Sequence, residues 1–447
     1  MAIEIKAPRL HKRQRKIWKE GKKHRNNVVR CGRRWGKTIM LVTIAFSYAV
    51  TLFRDLLTGE KKGGKIGIFT AEYRQYQEIY DKLVYLLGPL VKSHSRSEKR
   101  ILLKNGGVID FWVTNDNELA GRGREYHVVL IDEAAFTKAP QMLEEIWPKS
   151  ISPTMLTTKG RAWVFSTPDG IDENNFFYAI CRDKKHGFYE HHAPTSTNPL
   201  ISAIELAKIE RDSDPRVFRQ EFLAEFVDWS KDSLFDVAKL LVDDKPVMMP
   251  ATCDMIFAVM DTGLKGGSEN DGHGVVYYAL EQTYEKPRLT ILDWDLTQIQ
   301  GSLLPEYMPH IFNRLDELTR ICHPRMGSVG TFIENAAMGA ILLQKGETEG
   351  WPVRAIDSVL TSKGKDERGV MASGYHYTEK VKISEHAYKK TSVFKNSEAN
   401  HFWKQVSGFH LADKKAATRA DDLLDCYTYG VILAFGNSGR SNGRDSN

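Results

Sequence analysis

Residues 26–38 read NNVVRCGRRWGKT: a short β-branched run, a loop carrying two arginines between glycines, and Gly36-Lys37-Thr38 opening the apolar stretch Thr38–Phe53. Against the phosphate-loop pattern G-x-x-x-x-G-K-[ST] the first glycine is displaced. Cys31 stands in its place and Gly32 follows, while the Gly-Lys-Thr end is intact. The chemistry of such a loop needs backbone N–H groups at a helix N-terminus, a lysine that reaches the β and γ phosphates, and a hydroxyl on Mg²⁺. Gly36, Lys37 and Thr38 are the residues placed to supply it. A strand over 27–31 and a helix over 36–53 give the tripeptide the context it would lack as a chance loop sequence.

Outward from that loop, helical and extended patterns alternate. Strands are expected at Lys65–Thr70, His127–Ile131 and Ala162–Ser166, with an amphipathic helix at Tyr73–Leu87, and the order predicts a parallel α/β sheet. Lys99–Val113 alternates around Asn105-Gly106-Gly107 and reads as an inserted hairpin. The segment VVLIDEAA delivers Asp132 and Glu133 at a strand's carboxyl end, where α/β sheets bind ligands. Asp132 would hold Mg²⁺ through water and Glu133 would orient an attacking water. Ser166-Thr167, after the next strand, could contact the γ phosphate or form only a capping turn. Arg122, on the Gly-flanked loop AGRGRE, could act as an arginine finger or be a solvated arginine. Gln14, in HKRQRKIW, could read an adenine edge or be polar surface.

The chain has 447 residues, 42% hydrophobic and 27% charged, with a net charge of +6. This excludes a mostly disordered, collagen-like or coiled-coil chain and favours more than one domain. Five scattered cysteines without a CxxC spacing argue against a disulfide framework or a thiolate zinc site and fit a reducing compartment. Thr38–Phe53 is shorter than the roughly 20 residues of a membrane span, and no signal-peptide core follows the basic N-terminus. The sequence therefore reads as soluble and unsecreted, with no membrane partner. Ten lysines and arginines lie between Lys6 and Arg25 with Glu20 the one acid, a run that suits a polyanion or a solvated helix face. The expected organisation is a phosphate-loop domain over 1–194, a helical linker over 195–245, a second domain over 246–435 and a disordered tail over 436–447.

In the second half, three extended runs (255–263, 274–281, 288–295) precede a helix at 303–322, strands at 330–334 and 352–357, and a final helix at 418–434. FAVMDTG puts Asp261 at the end of the first strand, TFIENAAMG puts Glu334 at the end of a later one, and RADDLLDCY puts Asp421, Asp422 and Asp425 on one helix edge. Carboxylates on two strands and a helix after β-β-β-α-β are the layout of an RNase H-like nuclease. Such sites hold two Mg²⁺ or Mn²⁺ ions about 3.5–4 Å apart and stabilise both oxygens of phosphodiester cleavage. Taken singly, each acid could be a helix-dipole or strand-end charge.

The deviant phosphate loop, IDEAAF, the Ser-Thr-Pro turn, the Asn-Pro connector ending in RQEFLAEF, and MDTG, FIEN and DDLLD together resemble the large terminase subunit of tailed double-stranded DNA bacteriophages, from about Gln14 to Leu433. The resemblance implies an ASCE-type packaging ATPase fused to an RNase H-like nuclease that cuts concatemeric DNA and pumps it into a procapsid through the portal. It implies Lys37 and Thr38 as phosphate and metal binders, Arg33 or Arg34 as a phosphate sensor, Asp132 and Glu133 as the acidic pair, and Ser166-Thr167 as a coupling motif. Arg122 matches the region of a finger acting in trans. Asp261, Glu334 and Asp422 match the nuclease triad, but Arg419-Ala420 replaces the histidine often found before the aspartate pair, which leaves Asp421, Asp422 and Asp425 open as metal ligands.

ATP with Mg²⁺ and two nuclease metals would be the cofactors. Double-stranded DNA, the portal protein, a small terminase subunit that selects sequence, and further copies in a ring would be the partners, in the host cytoplasm. A cellular ATP-dependent translocase-nuclease in repair would share both sites but not the portal. A nucleotide-gated assembly protein would make the second set of acids structural.

Overall fold

The computed structural model describes residues 7–55, 58–116, 119–137, 144–229, 233–263, 272–282, 287–411 and 421–436. The chain divides into two compact units, one of Met1–Glu210 with Pro215–Asp228, the other of Arg211–Asp214 with Trp229–Asn447. The segment expected as a helical linker is thus divided. Pro215–Glu221 and most of Ala203–Asp212 fall with the first unit.

The first unit is built on an eight-stranded sheet in the order Phe188–Ala193, Asn26–Cys31, Arg161–Ser166, Val128–Asp132, Lys65–Thr70, Val108–Val113, Arg100–Leu103, Val91–Ser95. The first six strands are parallel, the rest antiparallel. The central strands are covered on both faces, which is why VVLID and KIGIFT are near-continuous apolar runs rather than alternating ones. On one face Ile17, Met40, Leu41, Ile44, Tyr76, Ile79 and Leu83 pack on Val29, Ile66, Ile68 and Leu130; on the other, Met155, Phe176, Phe177 and Ile180 pack on Val28, Val129, Ile131 and Val164. Arg161–Ser166 lies between the phosphate-loop strand and the acidic strand.

Lys99–Val113 is not an insertion apart from the sheet. Val108–Val113 pairs parallel with Lys65–Thr70, and the hairpin, turning at Gly106 (φ 81°), carries the sheet outward to its antiparallel edge. The Phe188–Ala193 strand (FYEHHA) was missed because as an edge strand it keeps polar residues half-exposed.

The second unit holds a six-stranded sheet in the order Val353–Ala355, Ser328–Ile333, Met255–Asp261, His273–Glu281, Arg288–Thr297, Val381–Ile383. The three-strand meander is antiparallel and the flanking strands join it in parallel, an RNase H-like fold. Helix Leu304–Cys322 buries Leu304, Met308, Ile311, Leu315 and Leu318 on Ile256, Ala258, Met260 and Tyr277. Helix Asp422–Phe435 is buried on nearly every side, as its apolar sequence requires. Lys365–Tyr377, which packs beside it, had no counterpart among the expected helices. Residues 437–447 of the expected tail and Arg419-Ala420 lie outside the described residues. None of the described helices is long and apolar enough to cross a membrane.

Candidate functional sites

At the carboxyl end of Asn26–Cys31 the chain turns through Gly32–Gly36 into helix Lys37–Val50. Cys31 is fully buried, its thiol 3.5 Å from the Ser166 carbonyl. The glycine is needed one residue later, because a β-carbon on Gly32 would collide with Thr195 Oγ1 and the Phe222 carbonyl. Gly36 caps the helix at φ 98°, where a side chain would also press on Gln14. The N–H groups of Arg34, Gly36, Lys37 and Thr38 have no hydrogen-bond partner among the described residues, which leaves four donors gathered at a helix N-terminus. Thr38 stands half-buried on the first turn.

The Lys37 ammonium is ion-paired with Glu133. Burial works against that ammonium, yet Glu133 and Asp132 carry its pKa upward. Asp132 is 4% exposed, and burial, reinforced by Glu133, pushes its carboxyl up to about 7. Glu133 has φ 51°, a strained conformation for a non-glycine residue, fixed by the Ala134 N–H on the Phe165 carbonyl and the Ala135 N–H on Ser166 Oγ at 3.2 Å. Ser166 is fully buried, its hydroxyl 3.5 Å from Glu133 Oε2, and Thr167 is buried after it.

Four further candidates differ in their partners. Gln14 is buried and its amide is engaged at both ends, accepting from the His11 N–H at 3.0 Å and donating to the Gly36 carbonyl at 2.9 Å. Arg33 is paired with Glu221 through its side chain and through its N–H on the Glu221 carbonyl. Arg34, exposed at φ 59°, has no ion-pair partner among the described residues. Arg122 is exposed between Gly121 (φ 85°) and Gly123 (φ 75°), and its side chain likewise has no ion-pair partner there.

In the second unit Asp261 ends the first strand, Glu334 follows the Ser328–Ile333 strand, and Asp422 opens the final helix. Asp261 Oδ1 accepts from the Gly263 N–H at 3.1 Å. Burial, then repulsion from Asp425 and Asp422, raises its pKa well above the carboxylate range. Asp422 is 6% exposed, burial pushes it up to about 7 with Asp421 and Asp425 adding to the rise, and its Oδ2 is buried without a hydrogen-bond partner. A β-carbon on Gly272 would come 3.0 Å from that same oxygen. A buried, unpartnered carboxylate oxygen beside a second repelled carboxylate fits a divalent cation.

Asp421 and Asp425 are instead matched by cations of helix Lys365–Tyr377. Lys365 pairs with Asp421 and lies 3.1 Å from Asp425 Oδ2, and Arg368 donates to Asp425 Oδ1 at 2.6 Å. Arg368 also lies 4.5 Å over the Tyr429 ring, whose hydroxyl donates to Glu334 at 3.3 Å. Among the described residues no three His, Cys, Asp or Glu side chains close around one metal position. The acids are neighbours, with two cations interleaved. Lys365 and Arg368 were the residues sequence reasoning missed, because only the tertiary packing of their helix brings them to the final one.

Residues 30–242 match the family described as "Terminase large subunit, T4likevirus-type, N-terminal". Over that stretch, just under half of the chain, the sequence is similar to large terminase subunits. No curated protein matches the sequence. The fold resembles that of the large terminase of a thermophilic bacteriophage, with a TM-score of 0.61 at 14% identity over 94% of this chain and 98% of that one. The same phage's terminase in complex with ADP gives 0.61 at 14% identity over 95% and 99%, and in complex with ATP-γ-S 0.59 at 13% identity over 94% and 98%. The phosphate-loop sheet and the RNase H-like sheet are thus the two halves of a large terminase fold.

Proposed function

We propose that the chain is a viral DNA-packaging motor subunit: it hydrolyses ATP to translocate double-stranded DNA into a procapsid through the portal, and cuts concatemeric DNA with a two-metal nuclease. The observation that carries the reading is that one chain bears both halves of the chemistry. Four uncommitted N–H groups, Lys37 and the Asp132-Glu133 pair lie at one strand end, and the buried, unpartnered Asp422 Oδ2 lies near Asp261 at another. The thermophilic phage's terminase, bound to ADP and to ATP-γ-S, supports a nucleotide in the first site.

In that site the loop N–H groups and Lys37 take the phosphates, Thr38 and Asp132 hold Mg²⁺, and Arg34 rather than Arg33 senses the phosphate. Glu133 orients the attacking water, and Ser166-Thr167 pass its state onward. Arg122 completes a neighbouring subunit's site in a ring on the portal. In the second site Asp261, Glu334 and Asp422 hold the ions, which when bound stabilise the attacking and leaving oxygens. Asp421 and Asp425 stay with Lys365 and Arg368. We assign residues up to about 194 to the ATPase domain, about 195–245 to a helical linker and about 246–435 to the nuclease. The motor would work in the host cytoplasm, docked transiently on the procapsid, with a small subunit choosing the sequence.

The decisive experiment supplies purified protein with DNA, ATP, small subunit and procapsids and measures nuclease-protected DNA. Encapsidation that requires both ATP and portal-bearing procapsids is expected. DNA-stimulated hydrolysis that ignores procapsids would point to a repair translocase instead.

A further inference from the structure

Four consecutive carbonyls of the phosphate loop are each held by a side chain from outside it. Thr195 Oγ1 donates to the Arg33 carbonyl at 2.7 Å and Asn198 Nδ2 to the Arg34 carbonyl at 2.7 Å. The His11 ring Nε2 lies 3.2 Å from the Trp35 carbonyl, and Gln14 Nε2 donates to the Gly36 carbonyl at 2.9 Å. Thr195, Asn198 and Gln14 are almost fully buried, at 1%, 6% and 2% exposure.

Each donor is itself aimed by a second bond. The Thr195 N–H donates to the Phe222 carbonyl at 2.8 Å, Asn198 Oδ1 accepts from the Leu200 N–H at 3.0 Å, and Gln14 Oε1 accepts from the His11 N–H at 3.0 Å. His11 Nδ1 accepts from the Gln14 N–H at 3.5 Å, which leaves Nε2 as the protonated nitrogen. The four come from two places: the start of helix Lys12–Gly21, and the segment after the Phe188–Ala193 strand, which pairs in parallel with the phosphate-loop strand through Cys31 and Ala193.

A trans peptide is planar, so its C=O and N–H point in opposite directions. Tethering the carbonyls of Arg33, Trp35 and Gly36 outward therefore turns the N–H groups of Arg34, Gly36 and Lys37 inward. Those are three of the four uncommitted donors. We infer that His11, Gln14, Thr195 and Asn198 are positioning residues that hold the loop's N–H groups aimed at the α and β phosphates of a nucleotide, so that binding does not have to order the loop first. The inference rests on the reading of this loop as the ATP site and adds four residues to it, two of them, Thr195 and Asn198, more than 150 positions downstream.

The test titrates full-length protein with fluorescent analogues of ADP and ATP and measures steady-state hydrolysis beside them. Asn198→Asp and Gln14→Glu keep the accepting oxygen and lose the donor; Thr195→Val loses the hydroxyl, and Thr195→Ser restores it. Each donor-less variant should bind ADP and ATP about tenfold more weakly, with KM raised alike and kcat at saturating ATP within about threefold, while Thr195→Ser stays near wild type. Melting temperatures identify any variant that fails to fold, in which case the Val and Ser pair at Thr195 decides. Affinities within twofold of wild type in all donor-less variants, or a loss confined to ATP with ADP unaffected, would overturn the clamp. A wild-type protein that binds neither nucleotide, or a Lys37→Ala variant that binds both normally, would overturn the ATP-site reading itself.

Discussion

The Lys37 ammonium and the Glu133 carboxylate are ion-paired, with 19% and 21% of their side chains exposed. The cation suited to a β,γ-phosphate and the carboxylate suited to a water thus occupy each other. A polyphosphate that recruits Lys37 must draw it from Glu133, so phosphate binding and release of the base are one exchange. Ser166, 3.5 Å from the same carboxylate, lies where that exchange would be felt on the neighbouring strand.

From this pairing it follows that Glu133→Gln should bind ATP at least as tightly as wild type, by about threefold or more, because Lys37 is freed, while turnover falls at least a hundredfold. Lys37→Ala should lose binding and turnover together. Equilibrium binding beside single-turnover hydrolysis separates the two. Metal-dependent DNA cutting should persist in both variants, and if it vanished with the ATPase the two chemistries would not be separate.

A second expectation concerns pH in the nuclease site. Asp422 is raised in the folded chain to about 7 from an ordinary carboxylate value near 4. Between those values the folded state binds the extra proton, so this group's contribution to stability falls as pH rises through that window. Metal binding must expel the proton below pH 7. Calorimetric Mn²⁺ affinity should therefore rise with pH by about tenfold per pH unit or more up to about pH 7, because Asp261, also held above the carboxylate range, must lose its proton too. Asp422→Asn should reduce that dependence and abolish cleavage, and should raise the metal-free melting temperature at pH 8 relative to wild type. Glu334→Gln and Asp261→Asn should also be inactive in cleavage, with ATPase retained.

What could be read from the sequence was what is local. The strands ending at Cys31, Asp132, Ser166 and Asp261 announce themselves as apolar runs stopped by a glycine loop, an acid or a turn, and their order carries both sheets. What could not be read is what depends on distant pairing. FYEHHA has no alternation because an edge strand buries only part of itself, and without that strand nothing places Thr195 and Asn198 beside Arg33 and Arg34. The hydroxyl- and amide-rich TSTN after it was the available signal. Gln14 looked like a free polar residue on a basic helix because its two partners, the His11 N–H and the Gly36 carbonyl, are backbone groups that no side-chain pattern reports. Asp421, Asp422 and Asp425 were indistinguishable in sequence. Lys365 and Arg368, more than 50 residues upstream, separate them.

The basic N-terminal helix gives a third test. Lys12, Lys16 and Lys19 are exposed at i, i+4 and i+7 while Gln14, Ile17 and Gly21 face the core. If this face lies along DNA, replacing the three lysines by glutamine should lower the slope of log affinity against log salt by about 0.9 for each phosphate no longer neutralised, with ATP affinity unchanged. An unaltered slope would leave them a solvated face.

The last expectation concerns Arg122. Its guanidinium is exposed on a turn between two glycines at positive φ and has no ion-pair partner among the described residues, so nothing there ties it to its own subunit. A finger contributes roughly 10³–10⁵ in rate by stabilising charge on the transferring phosphoryl group. Arg122→Ala should therefore keep nucleotide affinity and lose DNA-stimulated hydrolysis by at least a hundredfold. Mixing it with Lys37→Ala should restore part of the turnover, because one variant brings an intact phosphate loop and the other an intact finger. Mixed subunits that stay inactive where wild type assembles and hydrolyses would confine Arg122 to its own subunit or to the surface. Hydrolysis by Arg122→Ala alone at the wild-type rate would remove it from the chemistry altogether.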